Sequence, residues 1–291
     1  MIMHADELHV DAVLVRRLLE QQFPAWAGLP IERVPSDGTV NAIFRLGDAL
    51  AVRAPFVPGE SGIRRQAQWT PVLAPALPVP VPVVRGVGAP TEEYPSDWLV
   101  VDWLPGGVPT PGELADPDAV TDGLVGFVRA LWSQDPTGAP RAHRWGGLAR
   151  LDDAVRRALA DIHEVDADAV LRLWERALAA PAHERAVWVH DDLLPSNVLV
   201  DDAGRLAAVI DFVPGLADPA TVCLAAWNVL PASHRARFRS GLGLDAATWD
   251  RGIGWTIVQA AIALPYYRST NPGMTRMALY ALRELVAQPS A

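Results

Sequence analysis

Residues 187–219 read VWVHDDLLPSNVLVDDAGRLAAVIDFVPGLADP. Two short aliphatic runs, 198–200 and 206–210, flank Asp201-Asp202-Ala203-Gly204. That is strand, turn, strand, and the segment is expected to form a β-hairpin. Immediately before the first run stand His190, Asp191, Asp192 and Asn197; immediately after the second stands Asp211. A hairpin brings its two ends together, so Asp192, Asn197 and Asp211 are expected to converge. Two carboxylates and an amide oxygen are hard donors, suited to Mg²⁺ and phosphate rather than to Zn²⁺. Singly, each would be read as a turn cap; their joint spacing around one hairpin distinguishes them. Asp201 and Asp202 read as solvated turn residues.

Upstream of this hairpin the texture is largely β. Residues 6–22 open with acids and space Leu8, Val13, Val15, Leu18 and Leu19 near a helical period, which predicts a helix and argues against a signal peptide. Strands are expected at 30–35, 41–46 and 49–54, with Gly47-Asp48 as a tight turn. A helix over 62–76 is ended by prolines, and 77–84 (LPVPVPVV) is too rich in proline for a central strand, so it reads as linker or edge. Residues 97–104 (DWLVVDWL) read as a strand ending at Pro105-Gly106-Gly107. Beyond it the pattern turns helical, over 117–133, 151–162 and 168–180, and again over 219–230 and 246–287 after the hairpin. The expected fold is α+β with two lobes: a β-rich lobe over 1–103 and a larger, mostly helical lobe over 104–291.

Composition narrows the chemistry. The 291 residues carry 25 Lys plus Arg against 34 Asp plus Glu, a net charge of −9, which argues against a nucleic-acid or anionic-membrane footprint. No apolar run reaches the length of a transmembrane span, and a cytoplasmic location is expected. One cysteine, Cys223, excludes an internal disulfide and any cysteine metal cluster, and its apolar neighbours mark it as a small core residue. Every basic residue is Arg. Without lysine there is neither a GxxxxGK[ST] phosphate loop nor Schiff-base chemistry, so any phosphate clamp must use Arg and backbone N–H groups.

His190-Asp191-Asp192-Leu193-Leu194-Pro195-Ser196-Asn197 followed by Val209-Ile210-Asp211-Phe212 resembles the aminoglycoside phosphotransferase (choline kinase-like) family, whose core reads HGDxxxxN and then [IV]DF. The family's downstream GDP appears as Ala217-Asp218-Pro219, with the alternative that Asp218 only caps a helix. Residues 45–55 resemble the family's N-lobe hairpin, 98–106 its interlobe hinge and 251–267 a C-terminal helix.

The resemblance implies a protein-kinase-like two-lobe fold and transfer of the γ-phosphate of ATP or GTP to a hydroxyl of a small molecule. An aminoglycoside, or another antibiotic or natural product, is the implied acceptor, and the net acidity suits a polycation weakly. It implies Asp192 as catalytic base, His190 as the brace of the catalytic loop, and Asn197 and Asp211 as Mg²⁺ ligands. Arg53 stands where kinases carry the strand lysine, with Gln66 where its acidic partner would be. The turn containing Ser36 and Gly38 would lie over the phosphates, and backbone groups around Val101 and Trp103 would read the base. Asp191 replaces the family's glycine and adds a charge beside the base, while Val213 and Val222 stand where acids or glycine are common. A nucleotide- or metabolite-binding protein that transfers no phosphate fits the same residues.

Overall fold

The structure is a computed structural model and describes residues 8–35, 38, 40–58 and 62–287. It opens with α1 (Ala12–Gln22), which starts later than residue 6 because Asp11 caps it, its carboxylate accepting from Leu14 N at 2.8 Å. Leu14, Val15, Leu18 and Leu19 are its buried stripe. Five antiparallel strands follow: β1 (Ile31–Arg33), β2 (Asn41–Leu46), β3 (Leu50–Pro55), β4 (Val84–Gly88) and β5 (Trp98–Asp102), in the sheet order β1-β2-β3-β5-β4. The β2–β3 hairpin turns at Gly47, whose φ of 60° lies in the left-handed region that glycine enters without strain. The strand β4 was not expected. It begins at Val84, where the prolines stop, and pairs on one side only, with a register shift against β5. That is the edge position compatible with the sequence before it.

Between β3 and β4 lies α2 (Ile63–Leu73), continued by a 3₁₀ turn at Ala74–Ala76. Its N-cap Gly62 has φ 73°, and a Cβ there would stand 2.6 Å from Cγ1 of Val213. The start of α2 is thus held against the residue that follows Asp211-Phe212.

The rest is α3 (Pro117–Trp132), α4 (Asp152–Ala160), α5 (Ala167–Ala179), β6 (Val187–Val189), β7 (Val198–Val200), β8 (Leu206–Val209), β9 (Gly215–Ala217), α6 (Leu224–Asn228), α7 (Ala232–Leu242), α8 (Ala246–Tyr267) and α9 (Pro272–Val286). The fold is therefore α+β, with a five-stranded N-lobe and a helical C-lobe. The helix α7 was not expected: it is polar, and its buried residues Arg235, Phe238 and Leu242 are too few for a clear periodic signal. Residues 246–287 form two helices, broken before Asn271, which caps α9 by accepting from Met274 N at 3.0 Å.

The main core lies in the C-lobe, around Phe127, Trp174, Trp188, Phe212 and Trp255, and a second core lies between α1 and the sheet. Cys223 is fully buried in the C-lobe core, and burial pushes its thiol up, out of reach of thiolate chemistry. Among the described residues no helix is long and apolar enough to cross a membrane.

Candidate active site

The β7–β8 hairpin is held from both outer edges. Gly107 and Val200 exchange backbone hydrogen bonds at 2.9 Å, and Val209 N donates to Pro80 O at 3.0 Å. The proline-rich 77–84 segment therefore supports the hairpin. At the turn, the Asp201 carboxylate accepts from Ala203 N at 3.0 Å and Arg205 N at 2.9 Å, a local turn role. The unforeseen β6–β9 pair closes the other side, with Val187, Trp188 and Val189 opposite Ala217, Leu216 and Gly215. The loop from His190 to Asn197 thus leaves one strand of this pair, and the chain beyond Asp211 returns to the other.

Inside this frame the polar groups interlock. His190 Nδ1 accepts from Asp192 N at 3.2 Å, so its proton sits on Nε2, which donates to Ile210 O at 3.0 Å. The ring also lies against Phe212, 5.8 Å between centroids. Asn197 donates its Nδ2 to Asp192 O at 2.8 Å and to Asp192 Oδ2 at 3.1 Å, and Ile210 N donates to Asn197 O at 2.9 Å. Asp211 follows directly, at φ 52°, the one non-glycine residue of positive φ among those described. Aspartate tolerates that region better than most residues, and such a conformation persists only where its surroundings enforce it.

Arg53, on β3, reaches across the cleft. Its Nη1 donates to Gln66 Oε1 at 2.5 Å, and its Nη2 donates to the Asp211 carboxylate. The Arg53 side chain is 8% exposed, and Gln66 is 1% exposed, its buried Nε2 without a hydrogen-bond partner among the described residues. Gly38, Val101 and Trp103 line the same cleft, whereas Ser36 lies outside the described residues. In the segment joining the lobes, Asp102 N donates to Val83 O at 3.0 Å and Trp103 N to Ala49 O at 2.8 Å. These two N–H groups are taken by the fold itself, which leaves carbonyls and Leu104 to face a ligand there.

Arg144 escaped the sequence reading. Its Nη2 donates to Asp192 Oδ1 at 3.0 Å, its Nε donates to Asp191 O at 2.6 Å, and its own N–H donates to Asp191 Oδ2 at 2.6 Å. Asp191, buried, is thus the anchor of a loop that carries a guanidinium to Asp192. It is more than a like charge beside Asp192. No local signal marks Arg144, which lies 47 residues upstream in a loop.

The Asp192 side chain is 43% exposed to the cleft, yet protein surrounds it closely enough that desolvation raises its pKa. The Arg144 guanidinium opposes the rise, while Asp191 and Asp211 add to it. Asp218 serves the fold. It caps the 3₁₀ turn at Pro219–Cys223 and forms a two-point ion pair with Arg251 at 2.6 and 3.1 Å. Val222 is core.

The cleft between the lobes has a volume of about 1480 Å³. Single small-molecule sites occupy roughly 300–1,000 Å³, so there is room for two ligands side by side. Asp192, Asn197 and Asp211 all line it, as do Trp255, Tyr266 and Tyr267, whereas Trp227 is packed in the core against Trp249.

Residues 31–255 match the Phosphotransferase enzyme family. The chain belongs to that family. No curated protein sequence matches it. Among solved structures, the GDP and kanamycin complex of APH(2")-IIia superposes with a TM-score of 0.71 at 16% identity, covering 94% of this chain and 98% of that one. The ADP-bound aminoglycoside phosphotransferase APH(2'')-Ib gives 0.59 at 16%, over 96% and 97% of the two chains. A macrolide 2'-phosphotransferase type I gives 0.62 at 19%, over 94% and 98%. At these identities the likeness shows the fold of the phosphotransferase family, two lobes around one cleft.

Proposed function

We propose that the protein transfers the γ-phosphate of ATP or GTP to a hydroxyl of a small molecule, with residues 1–103 as the nucleotide-binding lobe and 104–291 as the lobe of the catalytic loop and acceptor. The observation that carries this reading is the bonded pair Asp192–Asn197 and the Asp211 carboxylate, held by Arg53, all lining one cleft roomy enough for two ligands. Phosphoryl transfer asks mainly for positioning and for stabilisation of negative charge, and this array offers both. The complexes of related folds with GDP and with ADP support a nucleotide as one ligand. The cytoplasm, where nucleoside triphosphates are abundant, is the compartment this reading requires.

The donors suit a magnesium ion held together with a nucleotide. Asn197 turns its Nδ2 to Asp192, so Oδ1 is the atom it has to offer, and Asp211 contributes a carboxylate. Among the described residues no three His, Cys, Asp or Glu side chains converge on one point. That accords with an ion that takes one or two carboxylates and draws its other ligands from phosphate and water. When bound, the ion would neutralise phosphate charge.

In this reading Asp192 accepts the proton of the attacking hydroxyl as its oxygen bonds to the γ-phosphorus and the nucleoside diphosphate departs. His190, locked between Asp192 N and Ile210 O, holds the loop in place. Arg53 moves from Asp211 to the phosphates, steadied by Gln66. Gly38 and its neighbour Ser36 lie over the phosphates, and the backbone beside Val101 and Trp103 meets the base. The test is γ-phosphate transfer to a panel of hydroxylated antibiotics, sugars and other natural products, with nucleotide hydrolysis followed in parallel. Turnover abolished by Asp192→Asn supports the reading.

A second reading, nucleotide binding without transfer, is favoured by one observation: the Arg53–Asp211 ion pair engages the carboxylate intended for the metal. Mg²⁺-independent nucleotide binding with no turnover on any acceptor would decide for it.

A further inference from the structure

The C-lobe wall of the cleft, built from α8 and α9, has a chemistry of its own. Ile262 and Tyr266 on α8, together with Val108 opposite, are exposed and line the cleft, and Met274 and Met277 of α9 extend the same surface. Exposed apolar side chains gathered in a concavity mark a ligand with an apolar body. On the C-lobe side of the cleft the acids Glu113, Asp191, Asp192 and Asp211 outnumber Arg144, Arg150 and Arg276, but the three aspartates gather at the ends of the β7–β8 hairpin, which leaves the exposed Glu113 against Arg150 and Arg276 elsewhere. Arg144 is engaged by Asp192. Arg150 and Arg276 are exposed and form no hydrogen bond or ion pair among the described residues.

A third, independent feature lies beneath. Trp255 Nε1 and both amide atoms of Gln259 are buried without a hydrogen-bond partner among the described residues, and both residues line the cleft. Gln259 is 7% exposed. Four apart on α8, the two side chains share one helix face. Buried polar groups left unpaired in a native structure point to a missing partner. An indole N–H can only donate, so that partner must offer an acceptor oxygen. Gln259 Oε1 is an acceptor in turn, which a hydroxyl of the same ligand can satisfy.

We propose that the acceptor is a hydroxylated compound with a large apolar body and an anionic group, held on the α8–α9 wall by Trp255 and Gln259 and drawn in by Arg150 and Arg276, and that a polycation is disfavoured. The inference rests on the phosphotransferase reading for the location of the acceptor. It names a chemistry opposite to the one suggested by the net charge of the chain, because the arginines that matter are local and charges further than about 8 Å are screened.

The experiment uses three matched probes: naphthalene bearing one hydroxymethyl group and, on the far ring, a carboxylate, a second hydroxymethyl or an aminomethyl group. Their affinities are measured by isothermal titration for the full chain, and binding of MgATP and MgGTP is followed separately by thermal shift. The carboxylate is expected to bind about three to ten times tighter than the amine, the range for two exposed charge contacts. The preference should collapse in the Arg150→Gln/Arg276→Gln variant. Gln259→Leu should weaken all three probes while the protein melts no lower than the wild type, since it removes two buried orphan atoms. Equal binding of the three probes, or tighter binding of the amine, overturns this inference even where nucleotide binds. A carboxylate preference in a protein that binds no nucleotide would instead overturn the proposed function while leaving the chemistry of the wall standing.

Discussion

Replacing Gln66 by Glu tests how Arg53 and Asp211 divide their charges. In the structure the Arg53 guanidinium has one neutral partner, Gln66 Oε1 at 2.5 Å, and one charged partner, Asp211. Without a carboxylate from α2, the charge of Arg53 is balanced by Asp211, the residue proposed to hold the metal. Gln66→Glu replaces the neutral acceptor of an already charge-assisted bond by a carboxylate and removes the orphaned Nε2. The attraction it adds between two opposite charges is on the order of 1 kcal/mol, provided that the pairing offsets the desolvation of a carboxylate at a site only 1% exposed. Released from Arg53 to that extent, Asp211 should hold MgATP or MgGTP about fivefold tighter. Isothermal titration with and without EDTA measures it, with Gln66→Leu as the control that leaves Arg53 to Asp211 alone. Unchanged or weaker nucleotide binding by a Gln66→Glu protein of normal melting temperature would refute this division of charge.

Asp192→Asn should lower kcat for phosphate transfer at least about a hundredfold with nucleotide affinity intact. Because the Asp192 pKa is raised on folding, its contribution to stability is present at low pH and lost as pH rises through the folded value; melting curves across pH should therefore show the Asn variant gaining on the wild type as pH rises. Asp191→Gly, although it restores the residue usual in the family, should cost about 2–4 kcal/mol in urea unfolding, since it removes a charge-assisted bond to Arg144 N and adds backbone freedom. An unchanged midpoint would mean that the loop stands without its anchor. Asp218→Ala strands the Arg251 side chain, 7% exposed, and should cost about 3–5 kcal/mol, much of it recovered in Asp218→Leu/Arg251→Met. An effect on kcat without loss of stability would return Asp218 to the active site.

The chemistry of the hairpin was legible in the sequence because it is local. Strand period, the Asp-Asp-Ala-Gly turn and polar residues at both strand ends lie within one segment, and a hairpin leaves their ends only one place to meet. The β2–β3 turn was legible for the same reason, since a left-handed glycine acts within a few residues, whereas the cap Asp11 was not read and α1 begins later than expected. Arg144, the anchoring role of Asp191, the Arg53–Asp211 pair and the orphaned Trp255 and Gln259 carry no such signal. Each depends on groups brought together from distant segments by packing, and Arg53 and Asp211 are 158 residues apart in the chain. The helix α7 and the edge strand β4 escaped because too few apolar side chains fix their period, and their neighbours hold them in place. By itself the sequence determined the residues that meet at the hairpin and the two-lobe fold they imply. Only the tertiary structure decided which charges face one another across the cleft, because a pairing energy depends on distance and burial, and neither is written in the order of residues.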